Sequence, residues 1–323
     1  MKKFTTILFA IVIFLHLSPE WLPGQDLVTY SGDISNRGQM PTFIIFGDTQ
    51  RTGFWEFWRE QNEEARCKLF RKLNTEDPAF IIHLGDFVFQ GSDKGHWIQF
   101  DKYMSDLQRR GIPLLPVLGN HEYFGNNKTA LKNYFSHFPF LDEAKWTSFR
   151  FQSLGIILLN SNFEELNDDE INEQNSWYLS KLHEFNHDSN VQYILVACHH
   201  PPFTNSTLVS DSRDVQEYFV TPTQNMTKVK LFISGHCHSY EHFKINYKHF
   251  IVTGGGGGPR QKLEIRSTKR KHKDLYNGGE IRNIHFCRLS ILPGFIKFQM
   301  VCINDDLTDW SVGEEFLIHI DNN

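Results

Sequence analysis

The segment FIIFGDTQ at residues 43–50 leads an apolar run directly into a carboxylate, Asp48. A short apolar run that stops at glycine is typical of a buried strand, so Asp48 is predicted to stand at a strand end. The same arrangement recurs in FIIHLGD (80–86), LLPVLGNH (114–121), YILVACHH (193–200) and LFISGHCH (231–238). In open α/β sheets, ligands collect outside the carboxyl ends of the strands. The five strand ends are therefore predicted to meet in one metal site.

Segments with helical spacing separate some of these strand ends. Apolar residues recur every three or four positions, which predicts helices, at residues 57–73, 97–107 and 176–185. Antiparallel strand pairs are predicted for residues 148–152 with 156–160 and for 285–292 with 295–303. The 323 residues, 40% of them hydrophobic, suffice for a sizeable core. We expect mixed sheets with helices outside them, in a single domain over residues 40–321.

The N-terminus has the pattern of an export signal. Lys2 and Lys3 precede an apolar run at residues 4–17. That run fits the core of a signal peptide and is shorter than the roughly 20 residues that a membrane-spanning helix needs. We therefore expect a signal peptide at residues 1–24, without a clear cleavage site, and a secreted or periplasmic protein. An uncleaved membrane anchor is the alternative.

Charge and cysteine content narrow the possible classes. The formal net charge of −5 argues against the broad basic surface that nucleic-acid binding requires. A basic stretch at residues 260–273 fits either a solvated loop or steering of an anionic substrate. The five cysteines are an odd number, which favours buried, unpaired thiols. A bridge between Cys287 and Cys302, across the last predicted hairpin, is the alternative.

The ordered pieces GDTQ, GDFVF, GNHE, HHPP and GHCH resemble the motif set of the calcineurin-like metallophosphoesterases. The segment IVTGGGGGP at residues 251–259, followed by paired strands, is similar to the purple, or tartrate-resistant, acid phosphatase branch. This resemblance covers residues from about 43 to beyond 252. It implies an α/β fold, a four-layer sandwich of two mixed β-sheets flanked by helices.

The resemblance also implies a set of metal ligands. Asp48 and His238 are expected to hold a first ion, a second ion is expected at Asn120, His199 and His236, and Asp86 is expected to bridge the two. Six groups are too many for one four-coordinate ion, and the mixture of carboxylate, amide and imidazole suits Fe, Mn or Zn. Two such ions can activate water, so the expected nucleophile is a metal-bound hydroxide that attacks phosphorus directly.

Four further residues near the motifs have expected roles. By resemblance, His121 faces the substrate and acts as the catalytic residue, either stabilising the phosphoryl group or protonating the leaving oxygen. Gln50 stands where many relatives carry a histidine ligand; a contact with substrate or with the ligands is expected for it, with ligation through its carbonyl oxygen as the alternative. Phe89 stands where purple acid phosphatases carry an iron-binding tyrosine, which argues against ferric iron. His200 is a further candidate for substrate contact, with a satisfied turn histidine as the alternative.

Three functions are consistent with these observations. The leading hypothesis is an exported phosphomonoesterase with two metal ions, acting on a small-molecule or lipid phosphoester. The second is a phosphodiesterase that acts on nucleotide or lipid head groups with the same metals. The third is a non-catalytic surface binding protein. The presence of every expected ligand together with His121 argues against the third.

Overall fold

The computed structural model describes residues 28–53 and 55–319, and the segment predicted as a signal peptide, 1–24, lies outside the described residues. The strands, numbered in chain order, are β1 Thr42–Phe46, β2 Ile81–His83, β3 Leu114–Pro116, β4 Thr147–Phe151, β5 Leu154–Leu158, β6 Tyr193–Cys198, β7 Val229–Ser234, β8 Tyr240–Ile245, β9 Lys248–Thr253, β10 His285–Leu292, β11 Phe295–Ile303 and β12 Trp310–His319. The α-helices are α1 Glu63–Leu73, α2 Lys94–Arg109, α3 Asn127–His137 and α4 Asp168–His187.

These strands form two mixed sheets of six strands each. The first sheet has the order β12-β11-β10-β1-β2-β3, with β1, β2 and β3 parallel to one another and β10 antiparallel to β1. The second has the order β4-β5-β6-β7-β9-β8, with four parallel strands inside and an antiparallel strand at each edge. The predicted fold class of two mixed sheets is therefore confirmed.

Alternation of side chains along the strands creates the layers. In β1, Phe43 and Ile45 point into the core between the two sheets, where they join residues of the second sheet such as Leu195. Ile44 and Phe46 point the other way, into a separate core with the side chains of α1, α2 and α3. The far face of the second sheet packs in the same manner on α4. Helices thus cover both outer faces of the sandwich.

The helices differ from their predicted bounds at their N-termini. The helix predicted at residues 57–73 begins only at Glu63, because the Asn62 side chain is engaged with the preceding loop, accepting from Thr52 N at 2.8 Å and donating to Gln50 O at 3.0 Å. The helix predicted at 176–185 begins at Asp168, where Asn167 and Glu170 form a reciprocal capping box.

The strand pairs agree with prediction to within two residues. The hairpin of β10 and β11 has the predicted bounds. The pair predicted at residues 148–152 and 156–160 is observed at Thr147–Phe151 and Leu154–Leu158, because the chain turns at Gln152, whose φ is 53°. The resulting tight turn starts the second strand earlier than the apolar pattern indicated.

The cysteines are all free, as predicted, and four of them are buried. Cys287 lies opposite Met300 and Cys302 lies opposite His285, so the alternative bridge between the two cysteines is absent from the hairpin. Among the described residues, the search for a helix with the length and apolar character needed to cross a bilayer found none.

Candidate metal centre

The six predicted ligands lie together, at the ends of the strands that precede them in the chain. The two sheets contribute different chemistry. Oxygen-bearing side chains follow the parallel strands of the first sheet, with Asp48 after β1, Asp86 after β2 and Asn120 after β3. Imidazoles follow the parallel strands of the second sheet, with His199 after β6 and both His236 and His238 after β7. The six candidate ligands therefore come together where the two sheets meet, and neither sheet supplies the whole set.

Three of these residues have an uncommon backbone conformation. The φ angles of Asp48, Asp86 and His236 are 61°, 56° and 65°, in the left-handed region that non-glycine residues seldom adopt. Such a conformation costs of order 1–3 kcal/mol and persists only where surrounding contacts impose it. Here Asp48 N donates to Gly85 O at 3.0 Å, and His236 N donates to Asp48 Oδ1 at 2.9 Å. Strained residues of this kind are concentrated at functional sites.

The two oxygens of Asp86 face different groups. Its Oδ1 lies 3.4 Å from His199 Nε2. Its Oδ2 accepts from Gln50 Nε2 at 3.0 Å, and the same Gln50 nitrogen lies 3.0 Å from His238 Nε2. His238 Nε2 is in turn 3.5 Å from Asp48 Oδ1. Asp86 therefore stands between one group that contains Asp48 and His238 and another that contains His199.

The group on the Oδ1 side is also tightly gathered. His199 Nε2 lies 3.0 Å from Asn120 Oδ1 and 3.1 Å from His236 Nδ1. Ligands bound to one ion at about 2.1 Å lie about 3.0 Å apart in cis octahedral positions and about 3.4 Å apart in a tetrahedron. The separations on both sides of Asp86 match these values.

Backbone carbonyls orient two of the imidazoles. His199 Nδ1 lies 2.8 Å from Leu84 O, and His238 Nδ1 lies 2.8 Å from Pro259 O. A carbonyl oxygen only accepts, so each Nδ1 carries a hydrogen and each ring turns its Nε2 to the site. Partners of this kind fix the tautomer of metal-bound histidines in general.

The charge of the site calls for a cation. Burial lowers the pKa of the His199 imidazole, but the nearby carboxylates of Asp86 and Asp48 outweigh burial and raise this pKa to about 9. The donor set, its spacing and its charge together fit two divalent ions.

His121 differs from the ligands in its exposure and orientation. Its Nδ1 donates to Phe89 O at 2.6 Å, and its Nε2 lies 3.9 Å from Asp86 Oδ2. The side chain is 16% exposed, whereas that of Asp86 is 2% exposed. The ring of Phe124 lies 4.4 Å away and covers part of the imidazole. His121 therefore lies at the edge of the site that faces solvent.

His200 lies beside the imidazoles, although it is not one of the six. Its ring is 4.4 Å from that of His236, and its Nδ1 lies 2.9 Å from Ser161 Oγ. Ser161 Oγ also accepts from His200 N at 2.8 Å, so the hydroxyl proton is available for Nδ1. Burial lowers the pKa of His200 to about 3, which keeps the ring neutral.

Glu122 is a site residue to which the sequence analysis assigned no role. This fully buried carboxylate accepts from three backbone N–H groups, Asp86 N at 2.7 Å, Phe87 N at 2.9 Å and Gly119 N at 2.8 Å. It thereby fixes the loops that present Asp86 and Asn120. Its position as the last residue of the GNHE motif was the sequence signal that could have identified it as a site residue.

Gly85 shows why the GD motif requires glycine. Its φ is 92°, and a Cβ at this position would lie 2.5 Å from Gly119 N and 2.9 Å from His199 Nδ1. Any other residue would push these neighbours apart and displace a predicted ligand.

The basic stretch at residues 260–273 is largely engaged in local ion pairs. Arg260 pairs with Glu60 and Asp305, each at 2.7 Å, and Lys262 pairs with Glu280 at 2.8 Å. These contacts favour the solvated loop over steering of an anionic substrate.

Comparison with known proteins agrees with this geometry. The sequence profile of the calcineurin-like phosphoesterases matches residues 41–240. Tartrate-resistant acid phosphatase type 5 of Mus musculus is 32% identical over 124 residues, which are 36% of this chain and 35% of that protein. The match thus spans about a third of the relative's length.

Solved structures with the same fold include three with a TM-score above 0.5. GAP50, described as the anchor in the inner membrane complex of Plasmodium, has a TM-score of 0.62 at 18% identity, covering 87% of this chain and 89% of its own. A dimetal phosphatase of Danio rerio has a TM-score of 0.56 at 14% identity, covering 87% and 99%. PhoD has a TM-score of 0.54 at 13% identity, covering 87% and 70%. At these identities the likeness concerns the fold alone.

The profile match covers more than half of the sequence. It places the chain in the calcineurin-like phosphoesterase family, whose members bind two metal ions.

Proposed function

We propose that this metal-dependent phosphoesterase is an exported phosphomonoesterase that holds two divalent transition-metal ions, Fe, Mn or Zn. The observation that supports this most directly is the position of Asp86, whose Oδ1 lies 3.4 Å from His199 Nε2 and whose Oδ2 accepts from Gln50 Nε2, which also contacts His238. A carboxylate in that position can join two ions. The neighbouring His121, on the open side, can reach a substrate that the ions bind.

The ligands divide between the two ions according to these contacts. The first ion is assigned to Asp48 and His238, the second to Asn120, His199 and His236, and Asp86 is shared. Such a pair, when bound, supplies Lewis acidity to a phosphoryl oxygen and lowers the pKa of a bound water. Glu122 holds the Asp86 and Asn120 loops in place during the reaction through its three backbone contacts.

His121 is assigned the proton transfer to the leaving oxygen. Because its Nδ1–H is committed to Phe89 O, its Nε2 is the nitrogen that carries a proton to or from the substrate. Its partial exposure lets the leaving group approach, whereas the carboxylates of Asp48 and Asp86 are buried. The ring of Phe124 restricts the orientation of the imidazole and forms the adjacent wall of the cleft.

His200 is assigned a contact with a phosphoryl oxygen. Since Ser161 can donate to its Nδ1, the neutral ring carries its hydrogen on Nε2 and acts as a donor. A neutral donor stabilises a phosphoryl oxygen without competing for a metal ion. This assignment favours substrate contact over the turn role that the sequence also allowed.

Export remains part of the proposal. Its support is the charged and apolar N-terminal pattern, which lies outside the described residues. Mass determination of the mature protein recovered from its host would test it, since removal of about 24 residues is expected.

An exposed aromatic surface near the site favours a second candidate, a phosphodiesterase that acts on lipid head groups. Trp55, Phe57 and Trp58 are 78%, 81% and 70% exposed, in the loop that follows Gln50. Gly53 in this loop packs on the ring of Phe89, beside His121. Exposed tryptophan and phenylalanine suit the interface of a lipid surface. The alternative of a non-catalytic binding protein also accords with such a surface.

A substrate screen separates the three candidates. The purified protein is assayed with phosphomonoesters, phosphodiesters and lipid-vesicle phosphoesters, each with added Mn, Zn, Fe or Mg, beside an Asp86→Ala control. The proposal expects monoesters to be hydrolysed fastest, with no turnover by the control. Faster hydrolysis of diesters would favour the second candidate. Two bound ions without hydrolysis of any ester would favour a binding protein.

A further inference from the structure

A small cavity lies outside the metal centre, beside the basic stretch at residues 260–273. Its volume is about 100 Å³, which is room for about three water molecules at ~30 Å³ each. The residues of its lining that carry charge or shape its space are Glu264, Arg270, Asp274, Tyr276, Gly278 and Arg282. Such a cavity can hold a few waters or one small ion.

The guanidinium of Arg282 lines this cavity with donors that lack acceptors. The side chain is 3% exposed, and its Nη2 donates to Asp274 Oδ2 at 2.7 Å. Its Nε and Nη1 are buried and have no hydrogen-bond partner within the described part of the chain. One face of the guanidinium lies over the ring of Tyr276, with Cζ 4.9 Å from the centroid. Buried charged donors are seldom left unsatisfied, so an acceptor is expected from whatever fills the cavity.

The carboxylates near Arg282 are bound to other donors. Asp274 Oδ1 accepts from His242 N at 3.0 Å and from Tyr276 N at 2.9 Å. Glu241 accepts from Thr204 Oγ1 at 2.5 Å and from Asn205 N at 2.7 Å. Neither carboxylate supplies the acceptor that Nε and Nη1 of Arg282 lack.

The charges of the lining leave one positive charge without a partner. Asp274 is paired with Arg282, and Glu264 accepts from Arg266 Nε at 2.7 Å, outside the lining. Arg270 is partly buried, and it forms no ion pair within residues 28–53 and 55–319. The cavity therefore combines an uncompensated guanidinium with the unused donors of a second one.

We propose that this cavity binds a small oxyanion such as inorganic phosphate, held by Arg282 and Arg270. Guanidinium groups bind phosphate and carboxylate oxygens better than other side chains do, because their planar donors match the spacing of the oxygens. The volume excludes a nucleotide or another ligand of drug size, which needs a pocket of roughly 300 Å³ or more. Phosphate is also the product of the proposed reaction, although the cavity requires no catalysis to bind it.

Gly278 leaves the space that the guanidinium occupies. A Cβ at this position would clash with Arg282 Nη1 and would lie 2.5 Å from Tyr276 Cε1. A Cβ at the neighbouring Gly279 would meet its nearest atom, Ile281 O, at an ordinary 3.6 Å. Neither glycine has a positive φ, so alanine brings no backbone strain at either position. Alanine should therefore displace the Arg282 guanidinium at 278 and not at 279.

The test is equilibrium dialysis of the metal-loaded full chain against radiolabelled inorganic phosphate at constant ionic strength. Wild type should bind one phosphate at the metal ions and a second in the cavity, and Asp86→Ala should keep only the second. Arg282→Lys keeps a cation beside Asp274 but loses donors, so it should weaken the cavity phosphate by at least about tenfold and leave the other unchanged. Arg270→Gln should weaken the cavity phosphate as well. Lys273→Gln, which removes an exposed cation of the same stretch outside the lining, should bind as wild type does.

The two alanine variants test whether the second phosphate lies at Arg282. Gly278→Ala should lose it and Gly279→Ala should keep it, with circular dichroism as the check that both fold. A second phosphate that survives in both Gly278→Ala and Arg282→Lys binds elsewhere, which overturns the proposal. Asp86→Ala without any bound phosphate would mean that water alone fills the cavity, which overturns it too and leaves the proposed function intact. Phosphate retained by Asp86→Ala, beside a wild type that hydrolyses no ester, would support the cavity and overturn the proposed function.

Discussion

Two groups of histidines, close together in the sequence, differ in what their ring nitrogens contact. The first is the metal centre, with His199, His236 and His238. The second is a pair formed by His242 on β8 and His249 on β9. Both groups are largely buried, and both include a carboxylate partner. Composition and burial alone do not distinguish them.

The second pair is closed on itself. His242 donates from Nδ1 to Glu314 Oε1 at 2.9 Å, and its Nε2 lies 2.8 Å from His249 Nδ1, which can donate to it. Phe316 stacks on both rings, with centroids 4.3 Å and 4.8 Å away. Each hydrogen in this chain has an acceptor. The pair joins the edges of the two sheets, and both ring nitrogens of His242 are engaged.

The metal centre is open by contrast. Backbone carbonyls take the Nδ1 hydrogens of His199 and His238, so their Nε2 atoms face the carboxylates of Asp86 and Asp48. Acceptors that face acceptors require a cation between them. The comparison shows that the orientation of hydrogens, more than the number of histidines, decides which cluster can bind metal.

The largest expected effect comes from removing the shared carboxylate. Asp86→Ala should lose both ions and all hydrolysis, because each group of ligands includes one of its oxygens. His242→Gln, in the closed pair, should keep both ions. Metal analysis and a phosphomonoester assay measure the two variants. Retention of two ions by Asp86→Ala would show that the two clusters do not differ as described.

A smaller effect is expected for His121, which borders the site without serving as a ligand. His121→Ala should keep both ions and lower kcat by roughly 10²–10⁴-fold, the range typical for a lost general acid. The loss should shrink for substrates with acidic leaving groups, which need less protonation. His183→Ala, a change of an exposed histidine, is the control. Loss of metal from His121→Ala would move this residue into the ligand group.

The smallest effect concerns the closed pair at low pH. Burial, followed by the charges of His242, Lys244 and Lys230, lowers the pKa of His249 to about 3. In the unfolded chain this pKa is about 6.5, so below pH 6.5 the unfolded state binds more protons and the free energy of unfolding falls with pH. At pH 5 the loss due to His249 should reach roughly 2 kcal/mol.

This third prediction is measured by urea unfolding of metal-free protein at pH 7 and pH 5. His249→Gln should lose less stability between the two pH values than wild type does, because the amide does not titrate. His183→Gln should keep the wild-type difference. An unchanged difference in His249→Gln would mean that the pair accepts a proton in the folded state.

The sequence predicted the clustering of the six candidate ligands better than it predicted the contacts around them. Apolar runs ending in GD, GNH and GH located the strand ends and all six candidate ligands, since such runs reflect local burial. The other features of the site depend on contacts between segments far apart in the sequence, which local patterns do not reveal. The contacts of Glu122 with Asp86 N and Phe87 N and the pairing of His242 with Glu314 join distant segments. The late start of α1 has the same origin, because Asn62 is held by residues of the preceding loop.

Because the ligands are divided between the two sheets, the resistance of the protein to proteolysis should depend on its metal supply. Oxygen ligands come from one sheet and imidazoles from the other. Each bound ion therefore acts as a cross-link between two halves that are otherwise joined largely by apolar contact. An ion present at 100 times its Kd stabilises the folded state by about 2.7 kcal/mol. Newly made chains that meet metal late should be cleaved by proteases sooner than loaded ones, so metal scarcity would reduce the amount of enzyme as well as its activity.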